Sequence, residues 1–123
     1  MTDDSLVYRQ IHPSFVQAGF PTSQAFRPTH KDESNLSVYD GDQITSDDAF
    51  RHYVEALGYS SVGVMGLTVS ECKSESLQVH LDPLPFPQHA IIDFTGLNDN
   101  ACRKTSKKLQ GMAVKRGWLY RAS

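Results

Sequence analysis

The sequence predicts an α+β fold, with a mixed or mainly antiparallel sheet of about five strands and two amphipathic helices on one face. Several short segments alternate apolar and polar residues as strands do, and two longer segments repeat apolar residues at helical spacing. The order strand, strand, helix, three strands, helix is typical of a sheet with many antiparallel neighbours. With 123 residues the chain has the common size of a domain, so we expect one domain over residues 1–123.

The chain begins with a predicted strand at residues 6–11, which ends before Pro13. Residues 14–35 contain glycine, proline and polar clusters without a clear period, apart from a short β-like piece at 22–27. So long an irregular segment indicates either a functional loop or an unrecognised strand. The next predicted strand lies at residues 36–39 and is closed by an Asp-Gly turn.

The first predicted helix begins after Thr45 or Ser46, either of which can cap it, and ends at a glycine. Two aspartates follow the cap, where the positive end of the helix dipole stabilises negative charge. Apolar residues then recur at i, i+3, i+4 and i+7, and this spacing predicts a single buried stripe. The stripe consists of Phe50, Tyr53, Val54 and Leu57.

The middle of the chain predicts two further strands. Residues 62–69 are apolar on both faces, as in a central strand, and Gly63 and Gly66 within them indicate a bulge or a close backbone approach. Residues 77–82 alternate between apolar and polar, which predicts a strand buried on one face only. The hydrophilic residues 70–76 are therefore expected to form the turn of a hairpin.

The last part of the chain begins with a proline-rich stretch at residues 83–87, which cannot pair inside a sheet and is expected to be an extended connector. A strand is predicted at residues 90–95. The final helix is predicted over residues 100–115, capped by Asn98 or Asp99 and ended by the following glycine.

Composition limits the setting in which the protein works. The sequence has no apolar run near the ~20 residues that cross a bilayer, and its first residues lack the basic and apolar regions of a signal peptide. We therefore expect a cytoplasmic protein with no membrane contact. Cys72 and Cys102 have no metal-type spacing, so we expect free thiols, no metal site and no cofactor.

Charge is divided unevenly along the chain although the formal net charge is only −2. Residues 101–123 contain seven of the 12 basic residues and none of the 14 acidic ones. On a helical wheel, most of these cations fall within an arc of about 140°, and apolar residues fill the opposite arc. We call this group the cationic strip, and it consists of Arg103, Lys104, Lys107, Lys108 and Lys115.

The cationic strip has two interpretations. Clustered Lys and Arg attract anionic groups and release counterions on contact, which favours a protein or nucleic-acid partner. The other interpretation is a solvated helix face that balances nearby acids. A duplex is the less favoured anion, because the first hundred residues hold all 14 acidic side chains and give the rest of the molecule the opposite sign.

A second candidate site lies in the segment from residue 9 to residue 32, where histidines, arginines and hydroxyls are gathered between glycines and prolines. The catalytic candidates are His12, Ser23 and His30. The ligand-binding candidates are Arg9, Arg27 and Lys31. A histidine can act as a general base and an arginine can hold a phosphate or carboxylate through paired hydrogen bonds. The alternative is that the hydroxyls only stabilise turns and the histidines are exposed.

Two resemblances accompany these patterns. The stretch from Val7 to Pro13, VYRQIHP, and the stretch from Pro21 to Thr29, PTSQAFRPT, resemble a group of small uncharacterised bacterial proteins. The chain also resembles ADP-ribosyltransferase-like folds, in which the first strand often carries a Tyr-Arg pair and a later strand a Ser/Thr-x-Ser-like element. Arg9 and Thr22-Ser23 match those elements. That resemblance implies NAD as a ligand.

The sequence thus leads to two hypotheses. The first is a bacterial cytosolic binding or accessory protein whose basic C-terminal helix contacts an acidic protein or a nucleic acid. The second is a small nucleotide- or NAD-binding enzyme with its site in the 9–32 segment. In the second case, Glu71 and Glu75 lie in the predicted hairpin turn, outside the setting of a catalytic glutamate.

Overall fold

The structure is a computed structural model that describes residues 1–29 and 34–122. Its strands are β1 (Leu6–Ile11), β2 (Val16–Gln17), β3 (Phe20–Pro21), β4 (Asn35–Asp40), β5 (Gly63–Thr68), β6 (Gln78–Leu81), β7 (His89–Asp93) and β8 (Tyr120–Arg121). Its α-helices are α1 (Ser46–Arg51), α2 (Val69–Ser74) and α3 (Asp99–Arg116). Shorter turns are 3-10 helical at Pro13–Phe15 and Ser23–Phe26 and π-helical at His52–Ala56.

Within the described residues, six strands form one sheet in the order β6-β7-β4-β1-β5-β8, and every neighbouring pair is antiparallel. The α+β class with a large antiparallel sheet is thereby confirmed. The expected count of about five strands is exceeded because β8 pairs with β5, with Val64 opposite Tyr120. A strand of two residues is too short to show alternation in the sequence.

The strands with clear periodicity are found where they were predicted. The predicted strands at residues 6–11, 36–39, 62–69, 77–82 and 90–95 correspond to β1, β4, β5, β6 and β7. The prediction of a short β-like piece at 22–27 is wrong, because Ser23–Phe26 folds as a 3-10 turn. That turn places two apolar side chains in the core with no exposed surface, Ala25 and Phe26.

The predicted hairpin between β5 and β6 is also wrong. Residues Val69–Ser74 form α2, and among the described strands β6 pairs with β7 alone, at the far edge of the sheet. A capping box begins α2: Glu71 N–H donates to Thr68 Oγ1 at 3.0 Å, and Thr68 N–H donates to Glu71 Oε1 at 2.8 Å. These reciprocal bonds satisfy two helix-terminal donors, and the Thr-x-x-Glu spacing was visible in the sequence.

Both predicted helices are present, but they cover opposite faces of the sheet, so the expectation of two helices on one face is wrong. Adjacent side chains of a strand point to opposite faces. In β1, Val7 packs in the cluster that contains Leu109 of α3, whereas Tyr8 packs in the cluster that contains Ala49 of α1. Helical periodicity shows that a helix has an apolar side, but not which face of the sheet it covers.

The helix that begins with α1 changes its winding after Arg51. Thr45 caps it as expected, accepting from Asp48 N–H at 3.2 Å, but the last turns are π-helical, with Leu57 N–H bonded to His52 O at 3.0 Å. The wider turn rotates the end of the predicted apolar stripe out of the core. Leu57 is consequently 37% exposed.

The two glycines of β5 are sites of close approach, as the sequence indicated. A Cβ at Gly63 would lie 2.5 Å from the Tyr120 carbonyl oxygen, and a Cβ at Gly66 would lie 2.5 Å from Cδ1 of Leu119. The absent side chains therefore leave the room in which β8 and the residues before it pack against β5.

Candidate functional site

Capping and charged residues stabilise both ends of helix α3. The Asn98 side chain caps it by accepting from Ala101 N–H at 2.8 Å, and Asp99 stands in the first turn. Lys115 and Arg116 stand in the last turn, where they complement the negative end of the dipole. Gly117, with φ of +91°, ends the helix. The sequence-predicted span of residues 100–115 is confirmed to within one residue at each end.

The inward side of α3 is anchored in the core. Leu109 and Ala113 have no exposed surface, and Ser106 is 1% exposed. The Ser106 hydroxyl donates to the Cys102 carbonyl at 2.7 Å, so this buried polar group is satisfied within the helix. Anchoring along this side fixes the rotation of α3 about its axis.

The outward side of α3 carries the cationic strip. All five of its residues are exposed: Arg103, Lys104, Lys107, Lys108 and Lys115. At 1.5 Å per residue, residues 103 to 115 cover about 18 Å of helix. The strip is therefore a continuous basic surface on one side of one rigid element.

Few acids neutralise the strip. Within the described part of the chain, its one ion pair joins Lys108 Nζ to Glu75 Oε1 at 3.4 Å. The neighbouring Arg116 is not part of the strip, because its Nη1 turns back to donate to Gly66 O at 2.9 Å and to Glu71 Oε1 at 2.8 Å. Burial raises the pKa of Glu71, but hydrogen bonds from Arg116 and Thr68 outweigh that effect and leave the pKa below its usual value.

Several acids lie on the other side of the sheet, around α1. Burial raises the pKa of Tyr8, and the negative charges of Asp40, Asp42 and Asp47 raise it further. Because Tyr8 faces the α1 side, these aspartates lie on the face opposite α3. These three acids therefore lie across the sheet from the cationic strip, whereas Glu71 and Glu75 lie beside α3.

Arg9, a predicted ligand-binding residue, has a structural role. The two pairs of residues that join β1 and β4 are Val7 with Asp40 and Tyr8 with Tyr39, after which the strands separate. Arg9 spans this gap: its Nε donates to Ala25 O at 2.7 Å and its Nη1 to Ser37 O at 2.9 Å. The guanidinium thereby connects β1, the 3-10 turn and β4.

The other described candidates of the 9–32 segment, His12, Ser23 and Arg27, do not line a common cavity with Arg9. His12 is exposed, and its Nδ1 lies 2.8 Å from the Ser14 hydroxyl. Ser23 is half-buried at the start of the 3-10 turn. His30 and Lys31 lie outside the described residues.

Arg27 lines a cavity of about 510 Å³ beside the start of α3, which we call the Arg27 cavity. Arg103 of the cationic strip also lines it, so two predicted binding residues meet there. Cys102 is a third lining residue; burial and the charge of Asp99 raise its pKa, and Arg27 acts in the opposite direction. Thr29 and Ser34 also line the cavity.

Arg9 instead lines a cavity of about 460 Å³ on the α1 side, which we call the Tyr53 cavity. Its lining comes from β1, β4, β7, the π-helical turn and the proline-rich connector. The lining residues are Tyr8, Arg9, Gln10, Ser37, Val38, Tyr39, Tyr53, Leu57, Tyr59, Pro85, Phe86 and His89. Apart from Arg9, sequence reasoning missed this site, because its residues are far apart in the chain and share no motif.

Aromatic rings form much of the wall of the Tyr53 cavity. The rings of Tyr53 and Tyr59 have centroids 5.2 Å apart, and those of Tyr39 and Phe86 are 4.9 Å apart. Burial raises the pKa of Tyr39 and of Tyr53, so both phenols keep their protons at neutral pH. The Tyr39 hydroxyl shares a 2.8 Å hydrogen bond with Nδ1 of His52.

Two polar residues of this cavity are buried, and they differ in how they are satisfied. His89 has both ring nitrogens hydrogen-bonded, Nδ1 to Asp82 O at 2.9 Å and Nε2 to Ser37 Oγ at 3.2 Å. The Oε1 of Gln10 lies 2.8 Å from Ser61 Oγ, whose one proton it shares with the Gly63 carbonyl oxygen at 2.9 Å, and its Nε2 has no hydrogen-bond partner in the described part of the chain. Gln10 is therefore the unsatisfied polar group of this site.

Other classes of site are not seen. Within residues 1–29 and 34–122, no three His, Cys, Asp or Glu side chains are placed to hold a metal ion. No helix of the described chain has the length and apolar character needed to cross a membrane.

Comparison of the chain with protein-family models, with curated proteins and with solved structures gives no match. The two resemblances noted from the sequence stay predictions.

Proposed function

We propose that the protein is a cytoplasmic binding or accessory protein of bacterial origin that contacts an acidic partner through the cationic strip of α3. The observation that carries this proposal is the exposure of all five strip residues on one side of a helix whose other side is fixed in the core. Four of the five have no acidic partner within 4.0 Å in the described chain, so they are open to an external anion.

An acidic segment of another protein is the partner that the geometry favours over nucleic acid. Five cations along about 18 Å can pair with several carboxylates at once. Residues 99–116 contain no aromatic side chain on which an unpaired base could stack. The acids around α1 also weaken the long-range attraction of a strongly charged duplex.

The test is a pair of charge-reversal variants with the same change in net charge. Lys104→Glu with Lys107→Glu reverses two strip cations, and Arg51→Glu with Lys73→Glu reverses two cations outside it. We expect the strip variant to bind a fluorescent deca-glutamate peptide at least about tenfold more weakly than the wild type, because each lost charge-assisted contact contributes about 1 kcal/mol or more. Fluorescence anisotropy at low salt measures this.

The control variant should bind the peptide within about twofold of the wild type, since its charges lie off the strip. Equal weakening in both variants would mean that only net charge matters and would contradict a defined surface. Tighter binding of a 20-base-pair duplex than of the peptide would assign the strip to nucleic acid instead.

The second candidate, a nucleotide- or NAD-binding enzyme in the 9–32 segment, has one supporting observation. Arg9 lines the Tyr53 cavity beside aromatic rings, whereas Arg27 lines the other cavity and His12 lines neither. A nucleotide site in this segment would therefore have to form around Arg9.

A further inference from the structure

The two edge strands of the described sheet, β6 and β8, differ in how well they are protected. An edge strand presents unpaired N–H and C=O groups, and proteins commonly protect it by shortness, charge or proline. Strand β8 has two residues and carries Arg121. Strand β6 has four residues, Gln78–Leu81, and contains no lysine, arginine or proline. Strand β6 is therefore the edge at which a further strand can pair.

Two residues of β6 have backbone groups that point away from the sheet. Asp82 N–H donates to His89 O at 3.0 Å, so the backbone of Asp82 faces β7. Because this direction alternates along a strand, His80 also faces β7, whereas Val79 and Leu81 face outward. No other residue of the described chain bonds to these two N–H and two C=O groups. They are available to a strand from outside.

The same edge carries both an exposed apolar side chain and an apolar recess. Val79 and Leu81 stand opposite two core residues of β7, so both side chains lie on the α3 face. Leu81 is 54% exposed there. A cavity of about 370 Å³, which we call the β6 cavity, is lined by α2 and the start of β6 and includes Val69, Leu77 and Val79. One molecule thus has an exposed leucine and, beside it, an apolar space for a leucine.

Antiparallel pairing of β6 with the β6 of a second copy satisfies the outward groups in one register. Pairing centred on Val79 would need the N–H of Leu77, which already donates to a carbonyl of α2 at 3.0 Å. Pairing centred on Leu81 would need an N–H at Pro83, which proline lacks. Pairing centred on His80 places Val79 opposite Leu81 of the second copy and forms four backbone hydrogen bonds.

This register also brings complementary side chains together on both faces. On the α3 face, Leu81 of each copy lies opposite Val79 of the other, at the β6 cavity. On the α1 face, Gln78 lies opposite Asp82, so an amide donor meets a carboxylate. His80 faces the His80 of the second copy, and no carboxylate faces another. The formal net charge of −2 per chain adds little long-range repulsion.

We propose that the protein forms a two-fold symmetric dimer through β6, in which Val79 and Leu81 pair across the axis and Leu81 of each copy occupies the β6 cavity of the other. The two six-stranded sheets then form one continuous sheet. Because the axis of such a pair is perpendicular to the sheet, both α3 helices lie on the same face. The interface does not depend on the partner proposed for α3.

Sedimentation equilibrium between about 10 µM and 1 mM tests whether the dimer forms. The interface is small, so we expect a reversible dimer with a dissociation constant within this range. Leu81→Lys places a charge at the β6 cavity, beside Lys73, and should weaken dimerisation at least about tenfold. The matched control is Tyr59→Lys, which changes a side chain of similar exposure, 58%, away from the edge, and should alter dimerisation by less than about twofold.

A chain that is monomeric throughout this range would overturn the proposal and leave β6 to a strand of another protein. Dimerisation of Leu81→Lys as strong as that of Tyr59→Lys would place the interface elsewhere and would equally overturn it.

The register is tested by cross-linking of His80→Cys. Residues opposite each other in a non-hydrogen-bonded antiparallel pair have Cα atoms about 4.5 Å apart, within the reach of a disulfide. The matched control is Gln78→Cys, whose two copies would be more than about 10 Å apart in this register and could not be bridged. The wild type is the second control, because Cys72 is buried and Cys102 is half-buried.

We expect mild oxidation to convert His80→Cys to a covalent dimer at least about tenfold faster than either control, as measured by non-reducing electrophoresis. Cross-linking of His80→Cys no faster than that of Gln78→Cys would refute the pairing centred on His80, and with it the proposed dimer.

Discussion

The two faces of the central sheet differ in how completely they are covered. On one face, α3 and the 3-10 turn bury Leu109, Ala113 and Phe26 with no exposed surface. On the other face, α1 buries Ala49 fully, and the π-helical turn that follows leaves the Tyr53 cavity open. The closed face therefore provides stability and presents the exposed cationic strip, while the open face leaves a cavity of about 460 Å³.

The largest expected effect is the loss of unfolding free energy when a core side chain is truncated. This loss should differ between the two faces. Leu109→Ala on the closed face should lower the free energy of unfolding by about 2–5 kcal/mol, because a fully buried leucine leaves a cavity. Leu57→Ala on the open face should change it by no more than about 0.5 kcal/mol, because that side chain is already partly in solvent. Urea denaturation of both variants measures this. Similar losses would show that the two faces are packed alike.

An intermediate effect is expected from one of two ion pairs that lie on opposite sides of the sheet. Glu71→Gln removes the carboxylate that α2 shares with Arg116, and should destabilise the protein by about 1 kcal/mol at pH 7. Because the folded pKa of Glu71 is depressed, its contribution is present above the unfolded pKa and is lost as the pH falls through the folded value. The deficit of the variant should therefore shrink toward pH 3.

The matched change on the α1 side is Asp48→Asn, which breaks the pair between Asp48 and Arg51 on the outer surface of α1. Both side chains are more than half exposed, so solvent screens their interaction. Thermal unfolding of this variant at pH 7 should be indistinguishable from that of the wild type. A clear loss of Tm would mean that α1 depends on its surface charges more than its exposure indicates.

Effects of at most about 1 kcal/mol, with opposite signs, are expected from two glycine substitutions, one on each face. Gly111→Ala in α3 should raise the free energy of unfolding by about 0.5–1 kcal/mol, because a Cβ there meets nothing within 4 Å in the described chain and alanine favours helix. Gly58→Ala after the π-helical turn should lower it by about 1 kcal/mol, because its φ of +75° is strained for alanine. Changes of the same sign would contradict these backbone assignments.

The elements that the sequence predicted well are those whose signal is contained in one segment. Helix α3 has a cap, a period and a terminating glycine within 20 residues, and β1 is a short extended run with Val7 and Ile11 on one face that ends before Pro13. The cationic strip could be predicted for the same reason, since the wheel of one helix decides which side chains are neighbours. Helix α2 was missed because its polar composition concealed the Thr68–Glu71 capping box.

The Tyr53 cavity could not be predicted because no local pattern encodes it. It exists only where Gln10, Tyr39, Tyr53 and Phe86, from four separate segments, meet through tertiary packing. The face covered by each helix was unpredictable for a similar reason. Amphipathic spacing is the same whichever side of a sheet receives the helix.

Arg9 has two roles, and a mutation would affect both of them. Its guanidinium connects β1 and β4 where these two strands no longer pair, and the same group lines the Tyr53 cavity. A substitution at this position would destabilise the contact between β1 and β4, so its effect on ligand binding could not be measured separately. Conversely, a ligand bound beside Arg9 would stabilise the contact between β1 and β4. Binding should therefore slow amide hydrogen exchange in both strands.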